Sequence, residues 1–316
     1  MVQLTVHPRA FAFAVVGVAE LEPALRLWRD RFGMLVVARR EGGDPGLATA
    51  WGLAADGIVD QVLLRTPGMT QGGLHLVRFR EPGVVVREGA AASDLVPKSV
   101  DVAVRDIQAR YAELAADGHQ FRSPVGRLAS DQMVVHQVHL GIHDAVNLVF
   151  FEREGIAEQV GPKGYGLIPQ IVATSPDNRL ERAFYEGVLG LRQTSNDRFD
   201  GPAVEKTIGL PPGGALDIRV FGDADCVQGR LEIVQYEGVR SADLYPRARP
   251  PARGLLSVTY VVADVGAILA RAAAQDAPPM RAAPLDHGVV TTIFGTARMA
   301  TLASPAGLRI DLLEPR

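Results

Sequence analysis

Trp51-Gly52-Leu53 and Ile208-Gly209-Leu210 stand 157 residues apart, counted from Gly52 to Gly209, and that spacing decides how the chain is organised. The same shift lays Asp60 on Asp217, Gln71-Gly72 on Gln228-Gly229, Leu74 on Leu231 and Val77 on Val234. It also lays Arg29-Asp30-Arg31-Phe32-Gly33 on Glu186-Gly187-Val188-Leu189-Gly190. A single shift held over about seventy residues without a gap favours internal duplication over coincidence.

Each half divides again. Ser99-Val100-Asp101-Val102-Ala103-Val104-Arg105-Asp106 alternates like a strand and runs into a helical stretch, Ile107 to Ala116. Ser257-Val258-Thr259-Tyr260-Val261-Val262-Ala263-Asp264 does the same before Val265 to Ala274. Four units result, at 11–82, 98–153, 166–238 and 254–314, each a strand, a helix opened by Asp or Glu, and further strands. The pattern predicts an α+β protein of four tandem βαβββ modules forming two cupped mixed sheets, with helices on the outer face. Its expected domains are 1–153 and 166–316, with 154–165 as linker and one cup per half. The Pro- and Arg-rich stretch Arg240 to Arg253 reads as a solvated crossover loop.

With 316 residues there is room for two domains of roughly 100 to 200 residues each. The hydrophobic fraction of 47% and charged fraction of 22% suit a globular chain. A net charge of -3 with dispersed Lys and Arg supplies no one-sided positive field, so neither nucleic acid nor membrane is an expected partner. Cys226 is the only cysteine, which excludes an internal disulfide and a CxxC pair, and the cytoplasm is the expected compartment. Met1 to Arg9 has no leader-like apolar core, and no run approaches the roughly 18 apolar residues of a membrane span.

Asp177 to Leu191, with its core Ala183-Phe184-Tyr185-Glu186-Gly187-Val188-Leu189-Gly190-Leu191, resembles the first helix and turn of the vicinal oxygen chelate superfamily of glyoxalases, bleomycin-resistance proteins and extradiol dioxygenases. Ser304-Pro305-Ala306-Gly307-Leu308-Arg309-Ile310-Asp311-Leu312 resembles its closing turn and strand, usually an Asp-Pro-Asp-Gly type turn followed by a ligand carboxylate. With the four-unit repeat, the resemblance covers nearly the whole chain. It implies that two units pair into a cup holding a metal, with ligands from the first and last strand of each unit. Carried onto the C-terminal half, the ligand positions are Gln170 and Ser257 on first strands and Glu232 and Asp311 on last strands. In the N-terminal half they are Phe13, His75, Ser99 and Phe150; only His75 is a metal ligand by type, so a metal-free cup is expected there, with His136 facing inward and His139 away.

Alternation tests the carboxylates independently. Leu231 and Ile233 share one strand face and leave Glu232 on the other, and Asp311 likewise opposes Ile310 and Leu312. Asp217 and Arg219 alternate with Leu216, Ile218 and Val220 and are expected to face the cup too. Gln170, Glu232 and Asp311 would present hard oxygen donors, suited to one divalent Mg, Mn or Ca ion rather than Zn or Fe. Without metal, Glu232 and Asp311 would act as general base and acid, with Arg219 stabilising a developing enolate or anchoring a substrate carboxylate. Asp217, Ser257, Phe221, Tyr236 and Met299 are the expected substrate contacts. A competing reading makes Asp217, Arg219 and Glu232 a structural ion-pair network.

The two functional readings are therefore a glyoxalase-like lyase or isomerase acting on a small or medium organic molecule, and a metal-free binding protein of the bleomycin-resistance type. An extradiol dioxygenase is disfavoured, because its two His and one Glu would fall on Gln170, Ser257 and Asp311. Gly164-Tyr165-Gly166 precedes a strand and is no dinucleotide fingerprint, and GxxxxGK[ST], GxSxG and HExxH are absent. Cys226 has no basic neighbour to activate it. Trp28, Phe184 and Tyr185 read as core. A homodimer is compatible with the sequence, but four units close two cups without one.

Overall fold

A computed structural model describes residues 4–7, 9–223, 225–274 and 276–316. Residues 1–3 and 8, within the segment expected to lack a leader core, lie outside them. Module 1 contains β1 (Phe13–Val18), α1 (Leu21–Leu25) prolonged by a π-helical turn (Arg26–Arg31), β2 (Leu35–Glu41), α2 (Pro45–Ala50), β3 (Ile58–Arg65) and β4 (Gly73–Phe79). Module 2 contains β5 (Pro97–Ala103), α3 (Ile107–Ala116), β6 (Gly126–Ala129), β7 (Val134–Gly141) and β8 (Asn147–Arg153). Module 3 contains β9 (Gln170–Thr174), α4 (Asn178–Gly187), β10 (Arg192–Phe199), α5 (Pro202–Ile208), β11 (Ala215–Gly222) and β12 (Arg230–Glu237). Module 4 contains β13 (Gly254–Val261), α6 (Val265–Ala272), β14 (Leu285–Thr292), β15 (Gly295–Ala303) and β16 (Arg309–Pro315).

The 157-residue shift is visible in the fold: it carries β3 at Ile58–Arg65 onto β11 at Ala215–Gly222. The helix starts follow from their Asp residues. Asp44, Asp106, Asp177 and Asp264 accept from Leu47, Ala109, Arg179 and Ala267 backbone N–H groups respectively. The duplicated glycines also have a physical reason. Gly72 and Gly229 both hold positive φ, and a Cβ on Gly72 would meet Ile168 O at 2.8 Å and Gly229 N at 3.0 Å, so the equivalent turns of modules 1 and 3 approach too closely for a side chain.

Two mixed eight-stranded sheets form, but not one per half. One runs β14-β15-β16-β13-β1-β4-β3-β2 and the other β10-β11-β12-β9-β5-β8-β7-β6. Module 1 thus pairs with module 4, through antiparallel β1 and β13, and module 2 with module 3, through antiparallel β5 and β9. The expected closure of one cup within each half is corrected: each half contributes one module to each sheet. Repetition identifies equivalent modules, whereas partnership is a contact between first strands far apart in sequence.

Arg240 to Arg253 is a crossover, as expected, carrying the chain from one sheet back to the other; seven of its fourteen residues are exposed, and it is anchored at its middle. Leu244 N donates to Leu95 O, and the buried Tyr245 hydroxyl donates to Thr174 O at 2.7 Å. The largest apolar cluster collects the helix-bearing faces of both sheets, with Ala14, Val16, Trp28, Phe150, Phe184, Tyr185 and Tyr260. Trp28 also donates its indole N–H to His143 Nε2 at 2.9 Å. The opposite faces hold separate clusters: Phe13, Val15, Trp51, Phe294 and Met299 in the first sheet, Val172, Phe199, Leu216 and Val234 in the second.

Candidate active site

The second sheet holds a cavity of about 170 Å³ built on the β5–β9 junction. Register places its polar residues. Asp101 lies opposite Gln170 and Ser99 opposite Val172, while β12 sets Arg230 beside Gln170 and Glu232 beside Val172. Partners in register share a face, so Ser99, Asp101, Gln170, Arg230 and Glu232 converge on one floor. An irregularity between Pro97 and Ser99 in the β5 pairing breaks the alternation there, and Lys98 joins Ser99 in lining the cavity. Leu128, Val135, Phe151, Phe199, Ile208 and Ile218 supply apolar walls.

Gln170 is the bridge. Its Nε2 donates to Asp101 Oδ2 at 3.3 Å and also to Glu232 Oε2. Ser99 Oγ donates to Asp101 Oδ1 at 3.0 Å. Asp101 is buried, and Glu232 keeps a partly exposed edge where it lines the cavity. Burial pushes the Asp101 carboxyl well above the usual carboxylate range, against the pull of the Ser99 and Gln170 hydrogen bonds and the Lys98 charge. Burial also pushes Glu232 up, and the neighbouring Asp101 charge pushes it further, opposed by Lys98 and Arg230. The two carboxyls titrate as a pair that retains a proton where exposed carboxylates have lost theirs. His139, buried beside Gln137 and Asn147, is held neutral because burial drives its imidazole well below its ordinary value.

Two solved structures show this architecture over the whole chain. Glyoxalase I from Zea mays superimposes with a TM-score of 0.66 at 15% identity, covering 97% of this chain and 92% of that one. A Bacillus subtilis protein described as a "putative dioxygenase" superimposes with a TM-score of 0.55 at 10% identity, covering 98% and 86%. This is the vicinal oxygen chelate fold. No protein-family model and no curated protein matches the sequence itself.

Within the vicinal oxygen chelate fold, the expected ligands separate. Gln170 and Glu232 meet, as register requires, but Ser257 and Asp311 belong to the other sheet. Alternation correctly turned both Glu232 and Asp311 to inner faces; the faces are those of different cups. The chelate of Gln170, Glu232 and Asp311 and the Glu232–Asp311 acid–base pair are thereby corrected, as is the mapping that placed the disfavoured dioxygenase's ligand positions Gln170, Ser257 and Asp311 in one cup. Asp311 is instead buried under Trp51, whose Nε1 donates to Oδ2 at 3.0 Å, with Thr301 Oγ1 at 2.7 Å and Arg309 Nε at 3.1 Å on Oδ1.

That first cup is filled by the chain's own side chains. His75 sits 5.9 Å from the Trp51 ring and 5.2 Å from Phe294, and its Nε2 meets Gln61 Oε1 at 2.7 Å. Burial pushes His75 down to about 3, so it is neutral. Asp44 ties the filling together, accepting from Leu47 N, Gln61 Nε2 and Ile293 N. Met299 is core there, and Ser257 is buried with its hydroxyl unpartnered among the described residues.

Asp217 and Arg219 also need correction. The cavity takes Leu216, Ile218 and Val220 from β11, leaving Asp217 and Arg219 on the other face, ion-paired at 3.3 Å, with Asn178 Nδ2 donating to Asp217. Apolarity does not separate the faces of β11 because both are covered. Arg219 is therefore no enolate stabiliser or carboxylate anchor in this cup, and the competing network reading holds for Asp217 and Arg219 but excludes Glu232. Phe221 packs on Tyr185 at 5.1 Å, under α4 rather than in the cup. Tyr236 does face inward, with the Lys98 ammonium 4.3 Å above its ring. His136 lies at the rim of its sheet against Glu154 at 2.9 Å, whereas His139, expected to face away, lines the cavity. The half-buried Cys226 donates its thiol to Gln228 O at 2.9 Å, away from this cavity.

Asp101, Lys98, Arg230 and Asp197 escaped the sequence reading. Asp101 was within reach of it, since it stands two residues after the inherited position Ser99 and shares its face. The donor set does not fit a resident chelated metal: Asp101 and Glu232 are the charged oxygen donors of this floor, Asp197 on the β10 wall instead accepts from Ser130 Oγ at 2.9 Å, Val149 stands beside Asp101 on β8, and no group of three His, Cys, Asp or Glu among the described residues could hold one. No helix among the described residues is long and apolar enough to cross a membrane.

Proposed function

We propose that the module 2–module 3 cup is the active site of a lyase or isomerase that moves a proton next to an oxygen function of a small organic molecule. The observation that carries this reading is the pair of Asp101 and Glu232, both turned into one cavity and bridged by one Gln170 amide. Their shared proton lets one act as base while the other acts as acid near neutrality. Arg230, partly buried beside Glu232, would balance an oxyanion or seat a substrate carboxylate. The apolar walls exclude water and favour a substrate with a hydrocarbon or aromatic body.

Those same walls favour the second reading, a binding protein of the bleomycin-resistance type, for which the carboxyl pair would only orient a ligand. Deuterium exchange at the C–H beside the carbonyl of 2-oxo acids and hydroxyketones, followed by NMR in the presence of a chelator, separates the two. Exchange by the native protein, slowed by roughly 10²- to 10⁴-fold in Glu232→Gln and Asp101→Asn, is the expected result. A bound compound that never exchanges would leave the binding reading standing, and loss of exchange on chelation would restore a metal.

A further inference from the structure

The chain has three lysines. Lys163 and Lys206 are exposed, whereas Lys98 is 2% exposed and lines the cavity of the carboxyl pair. Among the described residues Lys98 has neither an ion-pair nor a hydrogen-bond partner, only the Tyr236 ring at 4.3 Å. A buried ammonium without an acceptor is unfavourable, and Arg122 and Arg87 add like charge. Desolvation, the leading cause, therefore lowers the Lys98 amine well below its ordinary value, with the opposing pull of Glu232 and Asp101 smaller. An unpaired buried amine whose charge is disfavoured, a cavity that admits a small molecule and an acid–base pair on the same floor thus coincide.

We propose that Lys98 is a nucleophile whose Nζ forms an imine with the carbonyl carbon of an aldehyde or ketone bound in this cavity. The Nζ lone pair makes the new N–C bond while the C=O π pair moves to oxygen, which takes the proton held by the Asp101–Glu232 pair. The pair then removes a proton from nitrogen. Returning that proton to the hydroxyl group lets the nitrogen lone pair expel water and form the C=N bond. Hydrolysis reverses each step, and no oxidant or reductant is consumed. The imine would acidify the adjacent C–H, so the proposal rests on the acid–base reading above.

Trapping tests it. The native protein is incubated with glyoxylate, and separately with butanal, in sodium cyanoborohydride, which reduces an imine to a stable amine; intact mass and peptide mapping locate the adduct. Lys98 is expected to be alkylated at least about tenfold faster than Lys163 or Lys206, because a larger fraction of it is free amine. Lys98→Met and Lys98→Arg should lose that adduct while melting cooperatively. Equal labelling of the three lysines, or an unlabelled Lys98, overturns the proposal. Carbonyl-adjacent exchange by the native protein without a Lys98 adduct defeats the lysine step alone. An adduct without exchange defeats the acid–base reading alone.

Discussion

Replacing Asp101 with Asn tests the heart of the site, because it removes one charge of the carboxyl pair while keeping its shape. Two oxygens that share the Gln170 Nε2 donor lie within roughly 6 Å of one another, which at effective dielectric constants of about 20 to 40 corresponds to about 1–3 kcal/mol of repulsion. The lower half of that range allows for the edge of Glu232 that faces the cavity. Asp101→Asn should therefore lower the Glu232 titration midpoint by roughly one to two pH units. The midpoint should still stay above an ordinary glutamate, since burial is the larger cause. The sign carries into stability. A carboxyl whose folded value is raised contributes stability that is complete below its unfolded value and is lost as pH rises through the folded one. The variant should accordingly lose less stability than the native protein between about pH 5 and pH 9. Carbon-detected NMR of the Glu232 carboxyl gives the midpoint, and urea unfolding across pH gives the stability. An unmoved or higher Glu232 midpoint would refute a shared proton.

Two further outcomes concern the frame around the site. Asp44→Ala strands three buried donors, Leu47 N, Gln61 Nε2 and Ile293 N, and should destabilise the protein by about 3–5 kcal/mol in urea unfolding; a change below about 1 kcal/mol would mean that the first cup is not held by Asp44. Glu181 on α4 is buried, and desolvation pushes it up to about 7 although Ala306 N and Ser304 Oγ both donate to its Oε1. Glu181→Gln keeps an acceptor for both donors and removes the charge, so it should match the native protein near pH 5 and exceed its stability by about 2–3 kcal/mol near pH 8.5. A variant less stable than the native protein at the higher pH would count against it.

Much of the frame was legible. The 157-residue shift, the alternation of Ser99 to Asp106 and of Ser257 to Asp264, and the helix-starting Asp residues are local or repetitive features, and each specifies an element without reference to its neighbours. The inward turn of Glu232 was equally legible, because strand parity depends on the chain alone. Parity misled at Asp217 and Arg219, where the helix-covered face and the cavity face of β11 are both sheltered from water, so apolar residues do not mark one side.

The sequence by itself determined four modules and the faces of Glu232 and Asp311. Tertiary structure alone decided which modules share a sheet, and with it the composition of the site: Glu232 shares its cavity with Asp101 and Lys98 from module 2, while Asp311 is sealed under Trp51. The reason is physical. Each first strand offers a backbone edge that a neighbouring module within the half or a distant one can complete with the same hydrogen bonds, so the choice rests on long-range packing that no local pattern encodes.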